Sequence, residues 1–465
     1  MRESSHFSMK QAVDRAVQDR EVLQFVSSAT QLKYEARKEA FAHDFGHKRY
    51  QHLRQLAGRI RQDVVENLDH VLDQFTANAQ QAGTVVHRAR DARHANELCL
   101  QIAKANECRL CVKSKSMVTE EIGLVPDLIA AGIETIETDL GEFIVQLDGD
   151  TPSHIVTPMI HKNRASVARA FVRELGVEYT EDPEQLTAIA REYMRGKYRQ
   201  ADLGISGANF LLADSGTAVV CTNEGNADLA VNMPRIHIIV AGMEKVIPGH
   251  RELAVFLKLL ARSATAQPLT VYTTCLTGPR RPPEQDGPER VHIILLDNGR
   301  SAIQADLTSR ELLRCIRCGA CLNACPVFRN VGGGHAYGAV YSGPIGAAIM
   351  PLLQGLETYH ELPEASSLCG ACYEVCPVSI DLPSHLIRHR REGVDQHLHS
   401  WSDRFMYRAW AYVLQHPTLY RGAQSMARWV GRALAGAGSS GGRVPVTQGR
   451  SMLPGIVGFH PESVR

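Results

Sequence analysis

Seven cysteines fall into two short, matched runs in the second half of the chain. The first run is C-x2-C-x2-C-x3-C-P, and the second repeats its last three cysteines and its proline. Such spacing lets a looping backbone aim several thiolates at one small volume, as an iron–sulfur cluster requires. Because these clusters move single electrons, the two runs predict a redox protein. The residues are Cys315, Cys318, Cys321, Cys325 and Pro326 in the first run, and Cys369, Cys372, Cys376 and Pro377 in the second.

The spacing also predicts which thiolates share a cluster. In two-cluster proteins the fourth cysteine of a run turns away and ligates the other cluster. Gly319 and Gly370 suit the tight wrap between ligands because they lack a Cβ. The predicted ligands are Cys315, Cys318, Cys321 and Cys376 for cluster 1, and Cys325, Cys369 and Cys372 for cluster 2.

One ligand of cluster 2 is missing, because Ser366 stands where the second run would need a cysteine. Three interpretations stay open. Cluster 2 is [4Fe–4S] with a non-cysteine or remote ligand, it is [3Fe–4S], or folding brings in another cysteine. We favour two [4Fe–4S] clusters. The competing interpretation is zinc, which also uses C-x2-C pairs, but a zinc ribbon rarely shows this run, and here it comes nearly twice.

Composition sets wider limits. The chain has 465 residues, 44% of them hydrophobic and 22% charged, which allows two or three domains. A net charge of +1 gives no bulk attraction to nucleic acid. The first six residues lack the apolar core of a signal peptide, and no apolar run approaches the ~20 residues that span a bilayer. We therefore expect a cytoplasmic protein and leave open peripheral contact with the inner face of the membrane.

Hydrophobic patterns predict four regions. Residues 1–80 form an N-terminal helical region, in which 54–75 carry apolar residues at helical spacing. Residues 81–300 form an α/β domain, 301–392 a helical module with two clusters, and 393–465 a basic tail with all three tryptophans. The tail is either a helical cap on the cluster module or a docking surface. The predicted strands lie at 109–112, 142–147, 218–221, 237–241, 269–272 and 291–296.

Polar loops that follow these strands are the candidate substrate site, since ligands of open α/β sheets bind outside the carboxyl ends of strands. Their Lys and Arg side chains suit a carboxylate. His237 is a candidate base, and the alternative is a hydrogen-bonded strand residue. The candidates are Lys113, Lys115, Ser116, Glu120, Asn209, Asp214, Asn223, Glu224, His237, Lys245, Arg262, Ser263 and Arg280. Glu224, His237 and Arg280 are the catalytic candidates.

Together these segments resemble the LutB/YkgF family of lactate utilisation iron–sulfur proteins over nearly the whole chain. Besides the two cysteine runs, the resemblance is carried by 113–122 (KSKSMVTEEI), 139–146 (DLGEFIVQ), 201–209 (ADLGISGAN), 222–226 (TNEGN) and 260–264 (LARSA). It implies a LUD domain of NagB/RpiA/CoA-transferase-like fold, joined to an α-helical ferredoxin domain.

The resemblance also implies a role, which is electron transport in a complex that oxidises L-lactate to pyruvate. The implied companions are a protein like the glycolate oxidase iron–sulfur subunit and a small LUD protein. A substrate-binding oxidoreductase subunit that uses the LUD pocket, and the iron–sulfur subunit of another quinone- or thiol-linked complex, are the alternatives. In a CoA-transferase-like fold, Glu224 lies in a loop of the kind that carries a catalytic glutamate.

Three cysteines depart from the family pattern. Cys108 and Cys111 form a C-x2-C pair in a predicted strand, where positions i and i+3 point to opposite faces. We therefore expect buried free thiols there. Cys275 precedes the 277–280 loop and is the candidate for a remote ligand of cluster 2.

Overall fold

The computed structural model describes residues 7–436, so residues 1–6 and the 437–465 part of the predicted tail lie outside the described residues. The chain divides into two compact units, one ending at Leu398 and the other beginning at His399. All of the cysteine runs and all of the strands belong to the first unit.

The first unit begins with four helices: α1 (Met9–Ala16), α2 (Arg20–Asp44), α3 (Gly46–Glu66) and α4 (Leu68–Gln81). The single helix predicted over 54–75 is wrong, because the chain leaves the helix at Asn67, where φ is −115° and ψ is 31°. There the Asn67 side chain donates to the Asp63 carbonyl over 2.9 Å. A short polar side chain that bonds its own backbone in this way competes with helical hydrogen bonding.

Within the described residues, ten strands form two sheets. The larger sheet has the order β1-β10-β7-β4-β2-β3, and all of its neighbours are parallel. The smaller has the order β8-β5-β6-β9. The strands are β1 (Val85–Ala89), β2 (Leu110–Lys113), β3 (Glu134–Glu137), β4 (Leu203–Ser206), β5 (Phe210–Leu212), β6 (Thr217–Thr222), β7 (Ile236–Gly242), β8 (Val246–Ile247), β9 (Tyr272–Leu276) and β10 (Arg290–Leu296).

Helices cover the parallel sheet, so its central strands are apolar on both faces, and every residue of β7 is buried. This confirms the predicted α/β core. The helices of this region are α5 (Ala92–Ala105), α6 (Met117–Glu121), α7 (Leu124–Ala130), α8 (Leu140–Leu147), α9 (Arg164–Leu175), α10 (Pro183–Gln200), α11 (Asn226–Asn232), α12 (His250–Thr265) and α13 (Arg300–Ala305).

Two strand predictions are corrected. Residues 142–147 form helix α8, because Asp139 caps it by accepting a hydrogen bond from the Glu142 amide over 3.1 Å. A short apolar run does not by itself distinguish a buried helix from a strand. The strand predicted at 269–272 begins only at Tyr272 and extends to Leu276.

The rest of the first unit is a set of short helices around the cysteine runs. They are α14 (Ala320–Ala324), α15 (Pro326–Asn330), α16 (Gly343–Gln354), α17 (Leu356–Tyr359), α18 (Glu361–Glu364), α19 (Ala371–Val375) and α20 (Leu382–Asp395). Three 3₁₀ helices lie at Met243–Lys245, Ser309–Arg314 and Gly334–Tyr337.

The second unit contains α21 (Trp401–Gln415) and α22 (Pro417–Gly436). The side chains of Trp401 and Trp410 are exposed, at 74% and 59%. Within residues 7–436, every helix is too short or too polar to cross a membrane.

Three buried arginines of the N-terminal helices bind backbone carbonyls of the cysteine segments. Arg37 donates to the Val375 carbonyl over 2.8 Å, and Arg54 to the Cys376 carbonyl over 2.6 Å. Arg61 donates to the carbonyls of Leu313, Arg314, Glu244 and Val246. Arg54 and Arg61 are charged residues of the 54–75 stretch, yet they are only 6% and 1% exposed.

We expect the Arg61→Met variant to lower the free energy of unfolding by about 3 kcal/mol or more, because four buried carbonyls lose their donor. Denaturant unfolding of the full chain measures the change. Arg59→Met is the matched control, since the exposed Arg59 lies two residues away on the same helix. Equal stability of the two variants would contradict the role given to Arg61.

Candidate functional site

The two cysteine runs have the same local backbone. In each, a glycine with positive φ follows one ligand, Cys318 or Cys369, and caps a short helix, with φ of 74° at Gly319 and 82° at Gly370. The residue before that ligand is also left-handed, with φ of 58° at Arg317 and 54° at Leu368. Left-handed non-glycine residues are uncommon, so their recurrence marks a constrained loop.

The structure brings the predicted cluster 1 cysteines together. Cys315, Cys318, Cys321 and Cys376 line one small cavity, whose other lining is mostly apolar and includes Ile316 and Ile380. Burial raises the pKa of the Cys321 thiol, and the nearby thiols of Cys315 and Cys318 raise it further. Backbone amides of Arg317 and Ile380 donate to the sulfurs of Cys315 and Cys376, each over 3.4 Å. Four thiols around a small, mostly apolar cavity fit an iron–sulfur cluster.

The predicted cluster 2 cysteines form a second group. Burial, together with the nearby thiols of Cys325 and Cys369, raises the pKa of Cys372 to about 12. Cys369 is exposed, whereas Cys325 and Cys372 are buried. The Ser366 hydroxyl accepts a hydrogen bond from the Leu368 amide over 3.2 Å, which places it at the start of the same loop.

The other five cysteines lie outside these two groups. Cys108 and Cys111 are buried free thiols, as predicted, and Cys99 is a third. Burial raises the pKa of the exposed Cys275, the candidate remote ligand, which lies on β9. Its electrostatic neighbour among the thiols is Cys221 on the adjacent strand β6.

A cavity of about 300 Å³ lies at the carboxyl ends of β2, β3 and β4. Arg317 and Cys318 of the first cysteine run form part of its wall, together with Tyr341. This position matches the rule that ligands of open α/β sheets bind outside the strand carboxyl ends. The cavity is thus shared by the α/β domain and the cluster 1 segment.

Of the thirteen loop candidates, the structure brings six to this cavity: Lys115, Ser116, Asn209, Asn223, Glu224 and Lys245. His237 lies instead within β7, where its Nε2 is 2.8 Å from the Ser206 hydroxyl and burial lowers its pKa to about 3. Arg280 pairs with Glu289 over 2.7 Å, away from the cavity lining. Sequence reasoning missed Asp139, Arg317 and Tyr341, because only the fold brings their segments to this cavity.

The cavity carries charges of both signs. Burial lowers the pKa of Lys245 to about 8. Burial raises the pKa of Glu224, and the nearby Asp139 raises it further. Burial also raises the pKa of Asp139. The carboxyl groups of Glu224 and Asp139 therefore favour the protonated form more than free carboxyl groups do.

A buried ion network joins the α/β domain to the cluster 1 segment. Arg300 binds both oxygens of Glu121, over 2.9 and 2.8 Å, and Glu244 over 2.6 Å. The Tyr341 hydroxyl donates to Glu121 over 2.6 Å, and Arg317 stacks on the Tyr341 ring at 4.2 Å. Buried charges of this kind need several partners, and the network supplies them from both domains.

Behind the cavity, Lys113 is surrounded by carboxylates. Its Nζ lies 2.8 Å from Glu137 and 3.9 Å from Glu142. Burial, together with the neighbouring Glu142, raises the pKa of Glu120 to about 8. Three carboxyl groups around one ammonium cannot all ionise cheaply, so this cluster holds at least one proton at neutral pH.

Comparison with known proteins agrees with this architecture. Residues 72–296 match the family model of the LUD domain, and residues 311–380 match that of a 4Fe-4S dicluster domain. The fold and the cysteine segments therefore define an iron–sulfur protein that carries a LUD domain.

Proteins that are similar to this chain over most of its length identify its family within this class. Lactate utilization protein B of Geobacillus thermodenitrificans (strain NG80-2) is 47% identical over 380 residues, which are 81% of this chain and 79% of that protein. Uncharacterized electron transport protein YkgF of Escherichia coli (strain K12) is 43% identical over 418 residues, 90% of this chain and 87% of that protein. The chain belongs to the lactate utilisation protein B (YkgF) family.

The raised pKa of Glu120 gives a pH prediction. Between about pH 4.5 and pH 8 the folded chain holds a proton at Glu120 that the unfolded chain releases, so this group makes stability fall as pH rises. Glu120→Gln removes that dependence. We expect the variant to gain stability relative to the parent as pH rises from 5 to 8, by about 1 kcal/mol or more, in denaturant unfolding.

The control for this measurement is Glu178→Gln, because Glu178 is an exposed residue of the same type. Its stability difference from the parent should stay constant with pH. A Glu120→Gln variant whose stability difference is equally constant would show that Glu120 is already ionised in the folded chain.

Proposed function

We propose that this chain is the electron-transfer component of a complex that oxidises L-lactate to pyruvate. The chain is an iron–sulfur member of the lactate utilisation protein B family, which fixes the process in which it acts. The main structural support for this proposal is that the fold gathers four cysteines around one small cavity. They are Cys315, Cys318, Cys321 and Cys376. One-electron transfer is the chemistry that an iron–sulfur cluster supplies at such a site.

The proposed cofactors are two [4Fe–4S] clusters with the ligand sets derived from the spacing. The cavity shared by Cys315, Cys318, Cys321 and Cys376, and the nearness of Cys325 and Cys369 to Cys372, support those sets. Ser366 occupies the sequence position at which the second run would need a fourth cysteine. If no group at this position binds iron, a [3Fe–4S] cluster is the alternative for cluster 2. The short helices around the runs support an α-helical ferredoxin type of module, and a NagB/RpiA-like LUD fold is proposed with it.

The surroundings of the two cysteine groups differ in a way that suits directional electron transfer. Cys318 and Cys376 are buried, beside a wall of the LUD cavity, whereas Cys369 is exposed. Electron-transfer partners need a surface-near cofactor, so we propose that the Cys369 face meets a partner protein. The proposed companions are a protein like the glycolate oxidase iron–sulfur subunit and a small LUD protein, and the proposed location is the cytoplasm.

Positive side chains around the first cysteine run should stabilise its reduced state. Arg317 and Lys245 are electrostatic neighbours of Cys315, and Arg61 lies close to it as well. Cations near a cluster favour the more negative, reduced form, since the net charge and solvent exposure of a site set its potential. This arrangement favours electron entry at cluster 1.

Cysteine variants test the proposal. Cys318→Ser and Cys372→Ser should each lose about half of the roughly eight iron atoms expected for two [4Fe–4S] clusters. Both variants should also abolish or strongly slow growth on L-lactate as sole carbon source in a host that depends on this chain. Iron and sulfide analysis of anaerobically purified protein, with growth curves, measures both effects.

The matched control is Cys275→Ser, an exposed cysteine outside both groups. It should keep its iron and support normal growth. Loss of iron in this control would show that Cys275 is a remote ligand of cluster 2. Normal growth of folded Cys318→Ser protein would refute the electron-transfer role.

A further inference from the structure

The cavity shared by the LUD domain and the cluster 1 segment contains a cation that no protein group fully satisfies. The side chain of Arg317 is 8% exposed and lines the cavity. Its Nη1 lacks a hydrogen-bond partner among the described residues, as does Oε1 of the neighbouring Glu244. The nearest carboxylate oxygen, on Glu244, lies 3.8 Å from its Nη2. A buried guanidinium nitrogen without an acceptor costs stability, so its retention points to an acceptor that arrives from outside.

The backbone at Arg317 supports this reading. The residue has φ of 58°, an unfavourable conformation for a long side chain, and the corresponding residue of the second run is the apolar Leu368 with nearly the same φ. The loop geometry therefore requires no arginine. The Tyr341 ring, 4.2 Å from the guanidinium, fixes its orientation.

Lys245 is the second cation of this wall. It is 7% exposed and lines the cavity, and its ammonium group forms no hydrogen bond or close ion pair within residues 7–436. Arg317 and Lys245 are electrostatic neighbours of each other and of Cys315. A pair of adjacent cations with unused donors matches one carboxylate, which accepts several charge-assisted hydrogen bonds.

The cavity lining also includes polar groups of another kind. Asp139 and Glu224 are neighbours of each other and of Lys115. Carboxylate and amide oxygens there can accept from a hydroxyl group, and Lys115 can donate to a carbonyl. A volume of about 300 Å³ is at the lower end of ligand pockets, which favours a small molecule.

We infer that this cavity binds a small 2-hydroxy or 2-oxo monocarboxylate, with the carboxylate on Arg317 and Lys245 and the hydroxyl or carbonyl toward Glu224 and Lys115. The lactate class of ligand rests on the proposed function.

A ligand in this cavity would lie beside the cysteines of cluster 1 and would change the potential of that cluster. A negative ligand beside cluster 1 disfavours its reduction, and by linkage reduction of cluster 1 releases the ligand. Ligand occupancy therefore regulates the potential of cluster 1.

The test uses the full chain, purified anaerobically with its iron and sulfide quantified. Calorimetry with L-lactate should show saturable binding, and lactamide, which lacks the carboxylate, should not bind.

Lys245→Met should weaken L-lactate binding about tenfold or more, because a charge-assisted hydrogen bond is lost. Lys197→Met is the control, because Lys197 pairs with Glu134 outside the cavity. It should bind L-lactate as the parent does.

A second experiment measures how ligand binding changes the midpoint potential of the cluster. In a potentiometric EPR titration, L-lactate should lower the midpoint potential of one cluster in the parent and in Lys197→Met, and leave it unchanged in Lys245→Met. Absence of saturable binding by the parent chain with full iron content would overturn the inference while the electron-transfer role stands. Equal binding by Lys245→Met would overturn it as well. A chain that binds L-lactate but contains no iron would support the site and refute the proposed function.

Discussion

The hydrogen bonds from buried arginines to backbone carbonyls of the cysteine segments position the rest of the site. A loop that wraps a metal cluster has few regular hydrogen bonds, so its carbonyls need donors from elsewhere. Arg37, Arg54 and Arg61 supply them from two long helices that precede the α/β domain in the chain. Arg61 also binds the carbonyl of Val246 at the edge of the small sheet. One side chain thereby holds the first cysteine run against the LUD domain.

These arginine hydrogen bonds explain why the cavity and the first cysteine run share a wall. The ion network of Arg300, Glu121 and Glu244 extends the same connection, because it reaches Tyr341 and Arg317 on the cluster side. The two domains are therefore coupled by buried charges as well as by apolar packing. Such networks lose much of their stability when one partner is removed, so the relative position of cavity and cysteines is well defined.

Much of this architecture could be predicted from the sequence. The α/β core and the strand-end cavity follow from buried apolar runs such as β7 and from the polar loops after them. The sequence analysis failed in two ways: it overlooked a local helix cap, and it did not include interactions from another part of the chain. The 142–147 run becomes a helix because Asp139 caps it, and Arg54 and Arg61 turn inward because distant carbonyls need donors. Arg317 looked like a loop residue, since no spacing rule links it to the strand ends of the LUD domain.

The most direct test of the central claim is EPR of the anaerobically purified chain, with iron and sulfide determined on the same sample. The account predicts about eight irons with matching sulfide and, after dithionite, interacting signals of two reduced [4Fe–4S] clusters. Zinc in place of iron and sulfide would contradict it, because thiolate-bound zinc carries no electrons.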